Sequence, residues 1–184
     1  MLELLIIVLF TIIGIVFSIW NSYNAGKIYA YRKGLGIVVY TLGGFLPISY
    51  IISIILAIIL SSLNYISTAD TTFLLSFSFL FFGLAIVMWG VIATTLSAIA
   101  TMKGRSWKAG LVTAYNAFAT IWDALDYISN FMSALGSMMK SSKSNNFSIV
   151  IVIAVLAIAI GIGLIISYVA FKEGLKSEKR RIKV

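Results

Sequence analysis

The carboxylates of Asp123 and Asp126 are the side chains of this sequence that are best suited to chemistry. They are two of only six acidic residues in the chain. Because they lie three positions apart, a helix would place them within about one turn of each other. Carboxylates bind hard cations together with hydroxyl and amide oxygens, and such oxygens occur nearby at Asn116, Thr120 and Asn130. One hypothesis is therefore a path for a cation.

Most other kinds of site are excluded by the residue types that the chain lacks. It contains no cysteine and no histidine, which removes zinc sites, His-ligated haem, iron–sulfur clusters and Ser-His or Cys-His catalysis. Two acids three apart on one helix are not placed like the acid pair of a glycosidase or a protease. No phosphate-binding loop or dinucleotide fingerprint occurs. We therefore predict no catalytic residues, no resident metal or other cofactor, and no enzyme activity.

The composition is typical of a membrane protein. Hydrophobic residues make up 61% of the 184 positions, against about 45–50% in soluble domains. Several apolar runs exceed the roughly 17–25 residues that a helix needs to cross a bilayer. The net charge of +8 suits loops that lie near anionic headgroups, and no nucleic-acid-binding motif accompanies it. We expect the lipid bilayer as a partner, and no nucleic acid.

The pattern along the chain predicts an all-α, polytopic membrane bundle that forms a single transmembrane domain. The stretch 110–139 repeats apolar residues every three or four positions on one face and polar residues on another, which indicates one long amphipathic helix. The remaining hydrophobic stretches are ordinary spans, followed by a basic tail. The spans are 2–20, 35–63, 73–102 and 147–171, and the tail is 172–184.

Counting charges tests whether 110–139 also crosses the membrane. With four spans and the N-terminus outside, eight basic residues lie inside and six outside, so no orientation is favoured. With a fifth span, twelve lie inside and only Lys140 and Lys143 outside, which the positive-inside rule strongly prefers. Helices that lie flat on a membrane usually carry Lys and Arg on their polar face, and 110–139 carries none. We predict a fifth span, an outside N-terminus and a cytoplasmic tail.

The fifth span has a cost, which leaves alternatives open. An Asp at the centre of a membrane helix costs about 2.5–3.5 kcal/mol on insertion scales, so the polar face must lie inside the bundle, against a partner or along water. The alternative is an interfacial or re-entrant helix. The acids also have a second interpretation, in which the polar face binds neighbouring helices by hydrogen bonds and Asp123 pairs with Lys or Arg of a partner chain.

Other residues predict close helix contacts and the membrane surface. Small side chains on one face let helices approach closely. The candidates for such packing are Gly83, Gly90, Ser97, Gly161 and Gly163. Trp and Tyr beside Lys and Arg are typical of a cytoplasmic membrane interface. The candidates for such anchors are Trp20, Tyr23, Lys27, Arg32, Lys33 and Trp107.

Three local features give further expectations. Gly43, Gly44 and Pro47 predict a kink in the second span, which either shapes packing or, as in transporters, forms a substrate site. In the polar loop before the third span, Asp70 or Thr71 is expected to cap the next helix. The basic tail is expected to be a helix end that frays into solvent.

These features favour a non-enzymatic integral membrane protein that packs with its own copies or other chains in a larger assembly, such as a membrane complex or an enveloped particle. The alternative is a small cation channel or carrier that uses the polar face of 110–139. In a symmetric oligomer, its acids would form a ring of the kind that cation channels use. In both cases we expect a homo- or hetero-oligomer.

Overall fold

The chain folds into a bundle of long helices, as seen in a computed structural model. The structure describes residues 2–104, 107–142 and 146–182, with side chains for all of these except 2–7, 10, 104, 108–109, 141–142 and 146–149. No strand occurs in the described residues, which confirms the all-α prediction. The helices are α1 (Leu2–Tyr31), α2 (Lys33–Val38), a π-helical segment (Val39–Phe45), α3 (Leu46–Ser62), α4 (Thr68–Gly104), α5 (Trp107–Ser142) and α6 (Asn146–Ile182).

The observed helices match the predicted stretches, and several run further. Within the described residues, three helical stretches are long and apolar enough to cross a membrane, namely Lys33–Ser62, Thr68–Lys103 and Val150–Ile182. Helix α5 is continuous, as its periodicity predicts, but its polar face keeps it outside that group. The predicted first span, 2–20, lies in α1. The structure does not describe the side chains of residues 2–7 and 10 at its start.

The long stretches α1, 33–62, α4 and α5 run antiparallel to their neighbours in the chain, because contacts at two levels of each pair run in opposite order. Asn21 of α1 donates to the Gly43 carbonyl, Ser53 of α3 donates to Ser78 of α4, and the hydroxyls of Thr94 in α4 and Thr120 in α5 share a bond. Helix α6 packs against both α1 and α3. It runs antiparallel to the stretch Lys33–Ser62, since Ser167 bonds Tyr40 while Gly163 contacts Ser49. Helix α6 is therefore parallel to α1.

This arrangement gives the bundle two chemically different ends. The basic end holds the α1–α2 junction, the α4–α5 junction and the C-terminal part of α6. The far end holds the loop 63–67 and the α5–α6 junction. Basic side chains described at the basic end are Lys27, Arg32, Lys33, Lys103, Lys172, Lys176, Lys179, Arg180 and Arg181. Lys140 lies at the far end, while Arg105, Lys143 and Lys183 lie outside the described residues.

The basic tail was expected to be a frayed helix end, but it is helical as far as Ile182. Helix α6 continues to Ile182 because it packs along α1. The Tyr31 hydroxyl donates to Oε1 of Glu178 at 2.6 Å, and Glu178 is only 6% exposed. The two backbones touch at Gly26 and Gly174. A Cβ on Gly26 would lie 2.7 Å from the Leu175 nitrogen, and one on Gly174 would overlap the Tyr23 carbonyl.

Small polar residues fill much of the interior between α1, α3 and α6. Ser22, Ser49 and Ser167 are fully buried, and each donates to the carbonyl of the residue four positions earlier in the chain. Serines satisfied in this way allow the close helix approach that is typical of membrane bundles. The apolar core lies where α3, α4 and α6 meet. Its buried members are Ala57, Leu74, Phe82, Val152, Val155 and Leu156.

Helix α4 begins with a capping box that the sequence only partly indicated. Ser67 is the N-cap, and its hydroxyl accepts a hydrogen bond from the Asp70 N–H at 3.2 Å. Asp70 Oδ2 in turn accepts from the Ser67 N–H at 3.3 Å, which is the reciprocal pattern of such a box. The prediction of Thr71 as the N-cap was wrong, because the Thr71 hydroxyl instead donates to the Ser67 carbonyl.

Candidate functional site: the polar face of helix α5

The first part of the polar face of α5 lies against α4, the two acids further along it are exposed beside the bundle, and the apolar face points outward. The outward side chains are large and well exposed; Phe118 is 68% exposed, Leu125 60% and Ile128 69%. Helix α5 packs almost entirely against α4 and scarcely touches α6. This is the reverse of a helix on a water-soluble protein, which buries its apolar stripe.

The first half of the polar face is joined to α4 by three side-chain hydrogen bonds. The Thr101 and Thr113 hydroxyls lie 2.9 Å apart, and those of Thr94 and Thr120 lie 3.1 Å apart. Between them, the Asn116 amide donates to Ser97 Oγ at 3.3 Å. The sequence singled out Ser97 but missed Thr94 and Thr101. Their 3-4 spacing around Ser97 is the signal for a polar stripe on α4.

Glycines of α4 provide the close approach between the two helices. A Cβ on Gly83 would lie 2.8 Å from the Tyr127 ring, and one on Gly90 would lie 2.6 Å from the Thr120 hydroxyl. Tyr127 also donates to the Leu80 carbonyl at 3.1 Å and stacks on Phe79 with ring centroids 5.4 Å apart. The predicted packing positions Gly83, Gly90 and Ser97 therefore all lie beneath α5.

The two glycines predicted in the last span are placed differently from each other. Gly163 faces α3, where a Cβ would lie 3.1 Å from the Ser49 backbone. Gly161 is exposed, and a Cβ there would meet nothing within 4 Å. The structure thus gives Gly161 no packing role within the described chain.

From Asn116 onward, the polar face also lines a groove beside α4. Three cavities of about 150, 170 and 350 Å³ follow one another along α5, and neighbouring cavities share lining residues. We call them together the α5 groove. Its polar lining from α5 consists of Asn116, Thr120, Asp123, Asp126, Tyr127, Asn130, Ser133 and Ser137. All five residues predicted for an ion path therefore border one groove.

The two acids lie at the middle of this groove. Asp126 Oδ1 accepts a hydrogen bond from the Asn130 amide at 2.8 Å. Asp123 lines both the first and the second cavity. Within the described part of the chain, neither acid forms an ion pair with Lys or Arg. No three acidic side chains among those described come together as a metal site.

The opposite wall of the groove comes from α3 and α4, and one of its members was not predicted from the sequence. Tyr50 of α3 borders the second and third cavities, and its ring lies 5.9 Å from that of Phe82. Nothing in the spacing of α3 distinguishes Tyr50 from an ordinary membrane aromatic. Helices α3 and α5 do not pack against each other, so the groove separates them.

The predicted kink in the second span is a π-helical segment whose freed groups are taken up by neighbours. The Leu46 N–H bonds the Thr41 carbonyl, five residues earlier. Pro47 has no N–H to offer the Gly43 carbonyl, and the Asn21 amide donates to it instead at 2.9 Å. Gly43 also faces the Trp89 ring. These contacts favour a packing role for the kink. The role of Asn21 in it was not predicted from the sequence.

The predicted membrane anchors lie at the basic end or on the helices that lead to it. Trp20 is 60% exposed and Trp107 is 71% exposed. The Lys27 ammonium lies over the Tyr23 ring, 4.6 Å from its centroid. Arg32 and Lys33 are exposed at the α1–α2 junction.

Comparisons with known protein families, with characterised proteins and with solved structures found no match for this chain.

Proposed function

We propose that the chain is a non-enzymatic integral membrane protein whose five long helices cross the bilayer and which packs as a structural or accessory subunit in a larger membrane assembly. The observation that carries this proposal is the α5 groove, a polar surface along a helix whose other face is apolar. The crossing and the assembly are supported by different parts of that helix.

The outward apolar face of α5 supports the fifth crossing. Contact of such an apolar face with lipid tails is favourable, whereas its exposure to water is unfavourable. Helix α5 has 36 residues, so at about 1.5 Å per residue it is about 54 Å long, well above the roughly 30 Å of a hydrocarbon core. It also runs antiparallel along α4 from the basic end to the far end. An interfacial helix would instead lie across the ends of its neighbours.

The open part of the α5 groove, around the two acids, supports the proposal that the chain packs in a larger assembly. In a bilayer no water is at hand for polar groups in the hydrocarbon region, so each needs a partner. Within the described residues, Asp123 has no Lys or Arg partner, and the groove is open beside α3. A helix of another chain that carries Lys, Arg or hydroxyl side chains would satisfy it. Intramembrane acids commonly pair in this way.

The test is the size of the protein extracted from membranes in mild detergent. The wild type is expected in a species well above its own mass of 20.1 kDa, and the double variant Asp123→Asn, Asp126→Asn in a smaller one. Glu173→Gln is the matched control, because Glu173 is an exposed acid at the basic end. A wild-type monomer that keeps its helicity would refute the proposal.

A second candidate function is a cation channel or carrier. The observation that favours it is the continuity of the three cavities, with both acids at their middle. Ion flux into vesicles that contain the purified protein tests this candidate. It predicts flux in the wild type and in Glu173→Gln, and none in the double Asn variant. Flux that survives in the double variant would remove the acids from the mechanism, and no wild-type flux would leave the subunit proposal alone.

A further inference from the structure

A second groove, between α1 and α6, has the shape of a site for an amphiphile. It encloses about 590 Å³, within the roughly 300–1,000 Å³ of ligand pockets. Its apolar walls come from three residues within about one turn of α1 and one residue of α6, and its polar end comes from the next turns of α1. The apolar residues are Val16, Ile19, Trp20 and Ala170, and the polar ones are Tyr23 and Lys27. We call this the α1–α6 groove.

Lys27, the one cation among the described residues that line this groove, lies at one end of it. Long helical side chains point back toward the helix N-terminus, and the Lys27 ammonium accordingly lies over the Tyr23 ring, 4.6 Å from its centroid. Tyr23 also lies against α6, since a Cβ on Gly174 would overlap the Tyr23 carbonyl. The ammonium is therefore held on the side of Lys27 that faces the apolar part of the groove.

The charges around this end favour an anion. Lys27 lies at the basic end, where the acids of α6 are already engaged. Glu173 pairs with Lys176 at 3.7 Å, and the buried Glu178 accepts the Tyr31 hydroxyl. Clusters of Lys and Arg beside membrane spans attract anionic lipid headgroups. Trp20 and Tyr23 are residue types that lie at headgroup level.

We propose that the α1–α6 groove binds one anionic phospholipid, with an acyl chain between α1 and α6 and the phosphate beside the Lys27 ammonium. This inference rests on the proposed membrane location, because the lipid enters from the surrounding bilayer. A zwitterionic phospholipid fits the apolar walls equally well but carries a second, positive group toward a positively charged surface. The groove thus selects by headgroup charge.

The experiment counts lipids on the detergent-solubilised full-length protein by native mass spectrometry. The protein is offered equal amounts of phosphatidylglycerol and phosphatidylcholine with identical acyl chains. We expect one phosphatidylglycerol retained at least five-fold in preference to phosphatidylcholine. Glycerol 3-phosphate is offered separately, and we expect no competition from it, since it lacks the acyl chain. Competition at equal concentration would overturn the lipid assignment in favour of a free phosphate site.

Two variants and one control assign the effect to the groove. Lys27→Gln should remove the preference for phosphatidylglycerol, and Ala170→Leu, which fills the groove, should reduce retention of both lipids. Lys33→Gln, an exposed charge at the same end but outside the groove, should retain the wild-type preference. The proposal is overturned if Lys27→Gln behaves as wild type, or if Lys33→Gln lowers the preference as much. A protein absent from the membrane fraction would instead refute the proposed membrane location.

Discussion

Among single residues, Asn21 makes the contact that completes the hydrogen bonding of the helical stretch 33–62. A proline inside a membrane helix leaves a carbonyl without its usual donor, and in hydrocarbon that carbonyl requires another one. Asn21 supplies it from the adjacent helix. The carbonyl that Pro47 leaves without a donor thus forms a specific hydrogen bond between the stretch 33–62 and α1.

A double-mutant cycle tests this contact. Asn21→Leu should lower the free energy of unfolding in detergent micelles by about 1 kcal/mol, the usual scale of a hydrogen bond between membrane helices. In a Pro47→Ala background the new backbone N–H can reach the Gly43 carbonyl, so the same substitution should cost less. Asn24→Leu is the control, because Asn24 has no side-chain hydrogen bond among the described residues. Equal costs in the two backgrounds would contradict the pairing.

The Tyr31–Glu178 pair predicts a pH dependence at the basic end. The hydrogen bond to Glu178, with its negative charge, raises the pKa of Tyr31 above the ordinary 10.0. Because the folded pKa lies above the unfolded one, this contribution to stability is present below pH 10 and is lost as the pH rises through the folded pKa.

Tyrosinate absorbance measures this titration. Tyr31→Phe should remove a step above pH 10.0, and Glu178→Gln should move that step down, since it removes the negative charge. A titration curve that is unchanged in Glu178→Gln would show that the carboxylate does not hold the Tyr31 proton.

At the scale of elements, α5 shows what periodicity can predict and where it stops. The spacing of its residues predicted a continuous helix with two faces, and positions such as Thr113 and Asn116 lie on the polar one. Periodicity carries no information about which helix lies opposite. The partners Thr94 and Thr101 and the groove wall at Tyr50 depend on how α3 and α4 pack around α5, which a single sequence does not encode locally.

The extent of α6 was mispredicted for a related reason. Its last turns are rich in Lys, Arg and Glu, a composition that suits solvent as well as a helix. What extends the helix is Gly174, which lets α1 approach so closely that Glu178 is buried against Tyr31. A tertiary contact thus overrides the local signal.

Substitution of the glycines tests this close approach. Gly174→Leu should leave little folded protein after extraction, because even a Cβ at this position overlaps the Tyr23 carbonyl, and a backbone cannot shift as cheaply as a side chain. Gly161→Leu, on the exposed face of the same helix, should extract and unfold like the wild type. The yield and the midpoint of thermal unfolding measure both. Equal behaviour of the two variants would contradict the contact.

The whole molecule has a charge asymmetry that makes the proposed topology testable. Single cysteines can be introduced freely, since the chain has none. With five crossings, labels at Lys33 and Lys179 should react from one side of the membrane, and labels at Asn64 and Ser141 from the other. Ser141 on the same side as Lys33 would mean that α5 does not cross. Membrane-impermeant maleimide on sealed vesicles provides the measurement, with detergent-opened vesicles as the control for reactivity.

The parallel pairing of α1 with α6 has a consequence for how the protein is made. The contact between Tyr23 and Gly174 joins segments about 150 residues apart, so at about 5–20 residues per second α6 leaves the ribosome roughly 8–30 s after α1. Under the proposed topology, Gly26 of α1 lacks its contact with the α6 backbone throughout that interval, although the stretch 33–62 can already cover Ser22 through Gly44. The proposed topology therefore implies an insertion intermediate whose first helix lacks its contact with α6. Factors that shield unpaired membrane helices would act on it there.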